Sequence, residues 1–369
     1  MTNVDLLRLA RTEGVGPVTF RKLLARFGTA TASLAALPEL ARAGGRMAPL
    51  RIPGARDAER ELQEVAGQGA TLLFLSDTAY PALLARLDDA PPVIAVQGNP
   101  DLLSRRAVAI VGSRNASANG RRIAERIAED LTRAGLLVVS GLARGIDTAA
   151  HRGALEAGAT IACIAGGIDT IYPPENAALQ ERIGRDGAVV AELPLGTAPQ
   201  ARHFPRRNRV IAGLTLGVVV VEAALRSGSL ITARLAIEAD REVFAVPGSP
   251  LDERCRGTNG LLRQGAYLTE SAEDVLEHLR IGLVQAPLFA PTPGLAEPLY
   301  APDMPEAERA QVLRTIIDLL GPAPTGVDDL IRRCQFSAAS VMSVLLDLEI
   351  AGRIETLPGN RVALIADRG

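Results

Sequence analysis

Between residues 67 and 281 the chain repeats one pattern: a short unbroken apolar run, then a stretch of helical length with one apolar face. The runs are Thr71–Leu75, Val93–Gln97, Ala107–Val111, Leu136–Ser140, Thr160–Ala165, Ala188–Glu192, Gly217–Val221 and Glu242–Val246. Between them lie the helical stretches Ala118–Ala134, Asp147–Ala157, Glu175–Ile183 and Leu230–Ala239. A strand that is apolar on both faces must be covered on both, and a helix is the usual connection that brings the chain back for a parallel neighbour. The alternation predicts a Rossmann-like, doubly wound, mostly parallel α/β sheet. Aromatic residues make up only 3% of 369 and tryptophan is absent, so its core must be built from Val, Ile, Leu and Ala.

The flanks read differently. Residues 1–66 carry Leu and Ala at helical spacing, broken by Gly and Pro. There Gly14-Val15-Gly16-Pro17 leads into a helix-sized run, Val18–Phe27, that stops at Gly28. A Gly-x-Gly turn between short helices fits a SAM-like or helix-hairpin-helix domain, whose amides can approach a phosphate, and it equally fits an ordinary corner between helices. Residues 282–305 hold six prolines and read as a linker. From 306 to 369, helices over Glu308–Leu320, Val327–Arg333 and Ser337–Ala351 precede strands Arg353–Thr356 and Arg361–Ile365 around Pro358-Gly359-Asn360, the order of a winged helix. Its third helix bears few basic residues, which favours protein contact or an accessory role.

Several function classes are excluded. The formal net charge is −2, so any nucleic-acid binding must come from a local concentration of charge. Cys163, Cys255 and Cys334 form no CxxC pair, and His151, His203 and His278 are dispersed, which argues against disulfides and structural zinc. Asp147 and His151 share a helix face at i, i+4 but lack a third ligand, so neither a metal nor a catalytic base is expected; His151 reads as a helix-packing hydrogen bonder and Cys163 as inert core. No apolar signal segment opens the chain, and the Leu216–Val221 run is too short to span a membrane. A cytoplasmic protein without membrane contact is expected.

In an open parallel sheet the ligand site lies beyond the carboxyl ends of the strands. Five strand ends here carry Gly or Ser: Gly112-Ser113-Arg114-Asn115, Ser140-Gly141-Leu142-Ala143-Arg144-Gly145, Gly166-Gly167, the Ser227-Gly228-Ser229 helix start, and Pro247-Gly248-Ser249. Gly lets the main chain approach an anion, and Ser adds a hydroxyl, so a phosphate-bearing ligand is indicated. No cofactor is expected. The first turn is not GxGxxG, the next strand ends in Ser140 where a ribose-binding acid would stand, and there is no GxxxxGK[ST]. The run Arg202-His203-Phe204-Pro205-Arg206-Arg207-Asn208-Arg209 puts four arginines in eight residues around an aromatic, the parts of a single-strand site. Arg206 and Arg209 share a face at i, i+3, and Arg207 reads as the structural partner.

These runs, together with Ile146-Asp147 and Ala150-His151, Val210-Ile211-Ala212-Gly213 and Val246-Pro247-Gly248, resemble the signature segments of the DNA-processing protein A (DprA/Smf) family in order and spacing. The resemblance implies a domain that binds single-stranded DNA without catalysis, as a homodimer, and helps load a RecA-type recombinase during natural transformation. It carries a pocket of Ser113, Arg114, Ser140, Gly141, Arg144, Phe204, Arg206 and Arg209 onto this chain. The Gly/Ser turns add Ser227, Gly228 and Gly248. The rival reading is a nucleotide-cleaving hydrolase of the lysine-decarboxylase-like group. Ser227-Gly228-Ser229-Leu230-Ile231-Thr232 lacks the paired glycines and following Glu of that group's PGGxGTxxE run.

Overall fold

The computed structural model describes residues 2–281, 304–357 and 359–365. The linker expected at 282–305 lies outside the described residues up to position 303, as does Pro358. The described chain falls into two compact units, residues 61–281 and residues 2–60 with 304–365.

In the larger unit nine strands form one sheet. They are β1 (Ala70–Phe74), β2 (Val93–Gly98), β3 (Ala107–Val111), β4 (Leu137–Ser140), β5 (Thr160–Ile164), β6 (Ala188–Ala191), β7 (Gly217–Val220), β8 (Glu242–Ala245) and β9 (Tyr267–Leu268), in the order β1-β2-β6-β5-β4-β3-β7-β8-β9. Every pair from β6 to β9 is parallel, while β1–β2 and β2–β6 are antiparallel. The eight expected strands each appear within one residue of their expected bounds. The ninth, β9, is two residues long and exposed, so no apolar run announces it.

Period-two alternation sorts the strand side chains into two cores. Ala107, Ala109 and Val111 of β3 join Val210, Ile211 and Ala212 of helix His203–Gly213 and Ala233 and Ala236 of helix Gly228–Glu238. Val108 and Ile110 face Ala124, Ile127 and Leu131 of helix Ala118–Arg133 and Ala150 and Ala154 of helix Ile146–Ala157. Ile110 and Val219, in register across β3 and β7, are both fully buried; burial of such a side chain contributes about 1.5–3 kcal/mol. From β3 the chain steps to β4 and β5 on one side, and β7 then β8 lie on the other. Crossovers keep one hand, so reversing the direction of travel moves the helices to the opposite face. A crevice therefore opens at the carboxyl ends of β3 and β7.

The smaller unit contains helices Asn3–Ala10, Pro17–Phe27 and Ala30–Ala43, and the winged-helix elements Glu306–Leu319, Val327–Cys334, Ala338–Ile350, Ile354–Leu357 and Arg361–Leu364. Pro17 starts its helix where an N–H would go unsatisfied and has none to lose, and Gly28 at φ 72° ends it. The third winged-helix helix packs against the N-terminal helices. Glu349 accepts hydrogen bonds from Thr19 and Lys22, both at 2.9 Å, and Arg26 reaches Asp347 at 3.4 Å. A Cβ on Gly44 would stand 2.1 Å from the Asp347 carbonyl oxygen, so this approach requires glycine. This helix is thus held to the N-terminal helices of the same chain by Glu349 and Asp347.

Candidate nucleic-acid interface

The loops after β3 and β4 are rigidly built. Gly112 lies under Ile146, whose Cγ1 a Cβ would meet at 2.6 Å. Gly145 is doubly required: its φ is 79°, and a Cβ would lie 2.2 Å from the Ser113 carbonyl oxygen. The buried Asp147 carboxylate accepts from the amides of Gly141 (3.1 Å) and Ala143 (3.3 Å). Arg207, equally buried, donates to the carbonyls of Gly141 and Cys163, the latter at 3.0 Å. A Cβ on Gly141 would fall 1.9 Å from the Arg207 guanidinium, so the glycine is the gap in which cation and carboxylate meet the loop. Burial pushes the Asp147 carboxyl up against the pull of Arg207 and the two amides. Burial also lowers Arg207, although a guanidinium keeps its charge. Asn176 adds a further tie, donating to the Leu142 carbonyl at 2.9 Å, where Leu142 holds φ 55°.

On the β7 side, Glu222 adopts φ 66° and accepts from the Ser117 amide at 2.9 Å and the Ser117 hydroxyl at 2.5 Å. This locks the end of β7 to the start of helix Ala118–Arg133. Ser227 caps the neighbouring helix, accepting from the Ser229 amide at 3.3 Å. The N-terminus of an eleven-residue helix thus opens at the crevice, where the orphan amides and the helix dipole favour an anion.

Between these walls lies a groove of about 580 Å³ lined by Ser113, Arg114, Phe204, Arg207, Asn208 and Ser227, among others. Arg114 stands over the Phe204 ring at 4.8 Å and Arg207 lies 5.7 Å from its centroid. Among the described residues no ion pair holds Arg114 or Arg226, the latter also on the groove. Phe204, Arg207, Asn208 and Ile211 all face the groove, at spacing i, i+3, i+4, i+7 on helix His203–Gly213.

The structure therefore brings together Ser113, Arg114, Phe204, Ser227 and Gly228 and places the other expected residues elsewhere. Ser140 is fully buried, with its hydroxyl donating to Ile110 at 2.6 Å, because it ends a central strand. Gly141 is buried and both its backbone groups are engaged. Arg209 turns away from the groove to pair with Glu192 at 2.8 Å and Asp89 at 3.0 Å, with only 10% of its side chain exposed. Arg206 shares that face, half-exposed and 3.8 Å from Glu192. The shared face expected for Arg206 and Arg209 exists, but it packs toward β6. Gly248 is tied at both N–H and carbonyl to Asn259, and a Cβ there would meet the Cys255 sulfur. Arg144 is exposed beside the groove and pairs with Glu175 at 2.5 Å.

Asn115, Asn208 and Arg226 also line the groove and were not anticipated. Asn208 was legible from the helical spacing that fixes the Phe204 face, whereas Asn115 and Arg226 sit on loops with no periodicity. Arg207 is structural, as expected, yet it also faces the groove. His151 is fully buried against Thr160 at 2.8 Å, and burial pulls it down to about 3. Cys163 is core, its thiol pushed up to about 12. Among the described residues no cluster of His, Cys, Asp and Glu is placed to hold a metal, and no helix is long and apolar enough to cross a membrane.

Three family models match the chain: a DprA-like N-terminal HHH domain over residues 1–63, DNA recombination-mediator protein A over 71–280, and a DprA winged helix domain over 301–360. Protein Smf of Escherichia coli (strain K12) is 41% identical over 287 residues, covering 77% of this chain and 75% of that one. The X-ray structure of DNA processing protein A from Streptococcus pneumoniae superposes with a TM-score of 0.66 at 38% identity, over 75% of this chain and 98% of that one. A structure of DNA processing protein A from Helicobacter pylori, which concerns that protein's single-stranded DNA binding mode, gives a TM-score of 0.52 at 29% identity, over 58% and 96%. With its central sheet matched over more than half its length and both flanking domains matched in order, this chain belongs to the DNA recombination-mediator protein A family.

Proposed function

We propose that the chain binds single-stranded DNA, without catalysing a reaction on it, in the groove at the carboxyl ends of β3 and β7. The observation that carries this reading is the half-buried Phe204 ring framed by the Arg114 and Arg207 guanidinium groups beside a helix N-terminus. An aromatic face accepts any base, and the cations and amides accept phosphate, so affinity comes with little sequence preference. Ser113, Arg114, Phe204, Ser227 and Gly228 form the contact set, with Arg144 at its border. The Helicobacter pylori relative, a single-strand binder by its description, supports the ligand class.

The bound strand is handed to a RecA-type recombinase, the chain works as a homodimer, and its place is the cytoplasm, where its three free, buried cysteines need no oxidation. These roles extend the family membership.

Fluorescence anisotropy with labelled oligo-dT and a matched duplex, at two salt concentrations, tests the proposal. The expected result is salt-sensitive binding that favours the single strand and weakens in Arg114→Ala. Equal binding of duplex and single strand, unchanged by Arg114→Ala, would remove the groove from the function. Release of free base from nucleoside monophosphates would instead revive a hydrolase.

A further inference from the structure

Beside the groove lies a second depression of about 510 Å³, lined by Arg114, Asn115, Ala143, Arg144, Tyr172 and Pro173. It shares Arg114, Asn115 and Ala143 with the first, so the two are continuous across one arginine. Its lining includes an exposed aromatic: Tyr172 is 44% exposed and its neighbour Ile171 53%. The Tyr172 ring meets Phe204 edge-on, with centroids 5.9 Å apart and planes at 60°. The segment bearing Tyr172 is anchored from below, because the buried Asn176 ties it to the loop after β4. An exposed aromatic on an anchored segment, flanked by two arginines, has the composition of the Phe204 site repeated one step along.

We propose that Tyr172 is a second base-stacking platform, so that one single strand lays consecutive bases on Phe204 and Tyr172 with the intervening phosphate at Arg114 and Arg144. This rests on the single-strand reading of the first groove and extends it to a ligand shape. Bases within a duplex stack parallel, about 3.4 Å apart along each strand. Two platforms inclined at 60° hold their bases unstacked from each other. The pair therefore selects a splayed step, which a flexible single strand adopts and a duplex adopts only by breaking its stack. Arg144 is held in readiness by Glu175, an exposed ion pair that a phosphate can displace.

The absence of tryptophan makes the test direct. Tyr172→Trp introduces a single indole, excited at the red edge where tyrosine and DNA do not absorb. Its emission should be quenched on titration with oligo-dT and should move little with the matched duplex. Tyr172→Ala should bind oligo-dT about tenfold more weakly or worse, the scale of one lost stacking contact. If wild type binds oligo-dT while Tyr172→Ala stays within about twofold of it and the indole emission of Tyr172→Trp does not change, the second platform is refuted and the first groove stands. If wild type itself does not bind oligo-dT, the single-strand reading falls and the platform with it. The indole signal keeps the test decisive even where the alanine variant folds poorly.

Discussion

Replacing Arg209 with alanine should damage the fold and leave the proposed DNA site intact, a separation that Arg114→Ala should reverse. The Arg209 side chain is 10% exposed and its partner Glu192 11%, so the pair is effectively out of water. Removing the guanidinium strands the Glu192 carboxylate with only the half-exposed Arg206 at 3.8 Å as compensation. The Asp89 contact adds little, because that carboxylate is 49% exposed. Breaking one partner out of a buried pair costs about 3–5 kcal/mol, and the residual help from Arg206 points to the lower end. Urea unfolding of the wild type and Arg209→Ala measures this as a lowered midpoint at unchanged slope. Under conditions where both are folded, oligo-dT affinity and its salt dependence should coincide. Arg114→Ala should instead keep the wild-type midpoint and reduce the logarithmic salt slope by about 0.7, the share of one single-strand phosphate. An Arg209→Ala protein with wild-type stability and a reduced salt slope would refute the assignment of Arg209 to the scaffold.

Three further outcomes follow from the same geometry. Gly141→Ala drives a methyl into the Arg207 guanidinium at 1.9 Å and should lower unfolding stability by about 3 kcal/mol, at the upper end of overpacking costs; a loss under about 0.5 kcal/mol in urea titration would mean the loop relaxes freely. Glu175→Gln frees Arg144 from its ion pair and should tighten oligo-dT binding and steepen its salt slope by a fraction of a unit, with an unchanged slope removing Arg144 from the contact set. Asp347, 2% exposed in its side chain and pushed by burial from 3.8 to about 6, makes the native chain bind more protons than the unfolded chain between those values. Its contribution is fully present below pH 3.8 and is lost as pH rises to about 6, amounting to about 3 kcal/mol for a shift of that size. Unfolding midpoints across that window should show a downward trend with rising pH that is absent in Asp347→Asn. Parallel curves for the two proteins would be the contrary result.

The sequence by itself determined eight of the nine strands of the central sheet and the sheet edge at which the groove opens. Unbroken apolar runs such as Ala107–Val111 can satisfy both faces only between two helical layers, and period-two alternation sends Ala109 and Ile110 to opposite cores without reference to the rest of the chain. Local spacing likewise put Arg206 and Arg209 on one helix face and Phe204 with Asn208 on another. What no local pattern specifies is which face meets solvent. That depended on β6 delivering Glu192, so that Arg209 became scaffold while Phe204 turned toward Arg114. Burial decided Ser140 and Gly141 in the same way: a serine ending a central strand spends its hydroxyl on the neighbouring strand, and a glycine between Asp147 and Arg207 spends its amide and carbonyl on them. The strand order, the short β9 and the docking of helix Ala338–Ile350 on the N-terminal helices were also settled only in three dimensions. Each rests on contacts between residues far apart in the chain, whereas periodicity encodes only what a residue's near neighbours share.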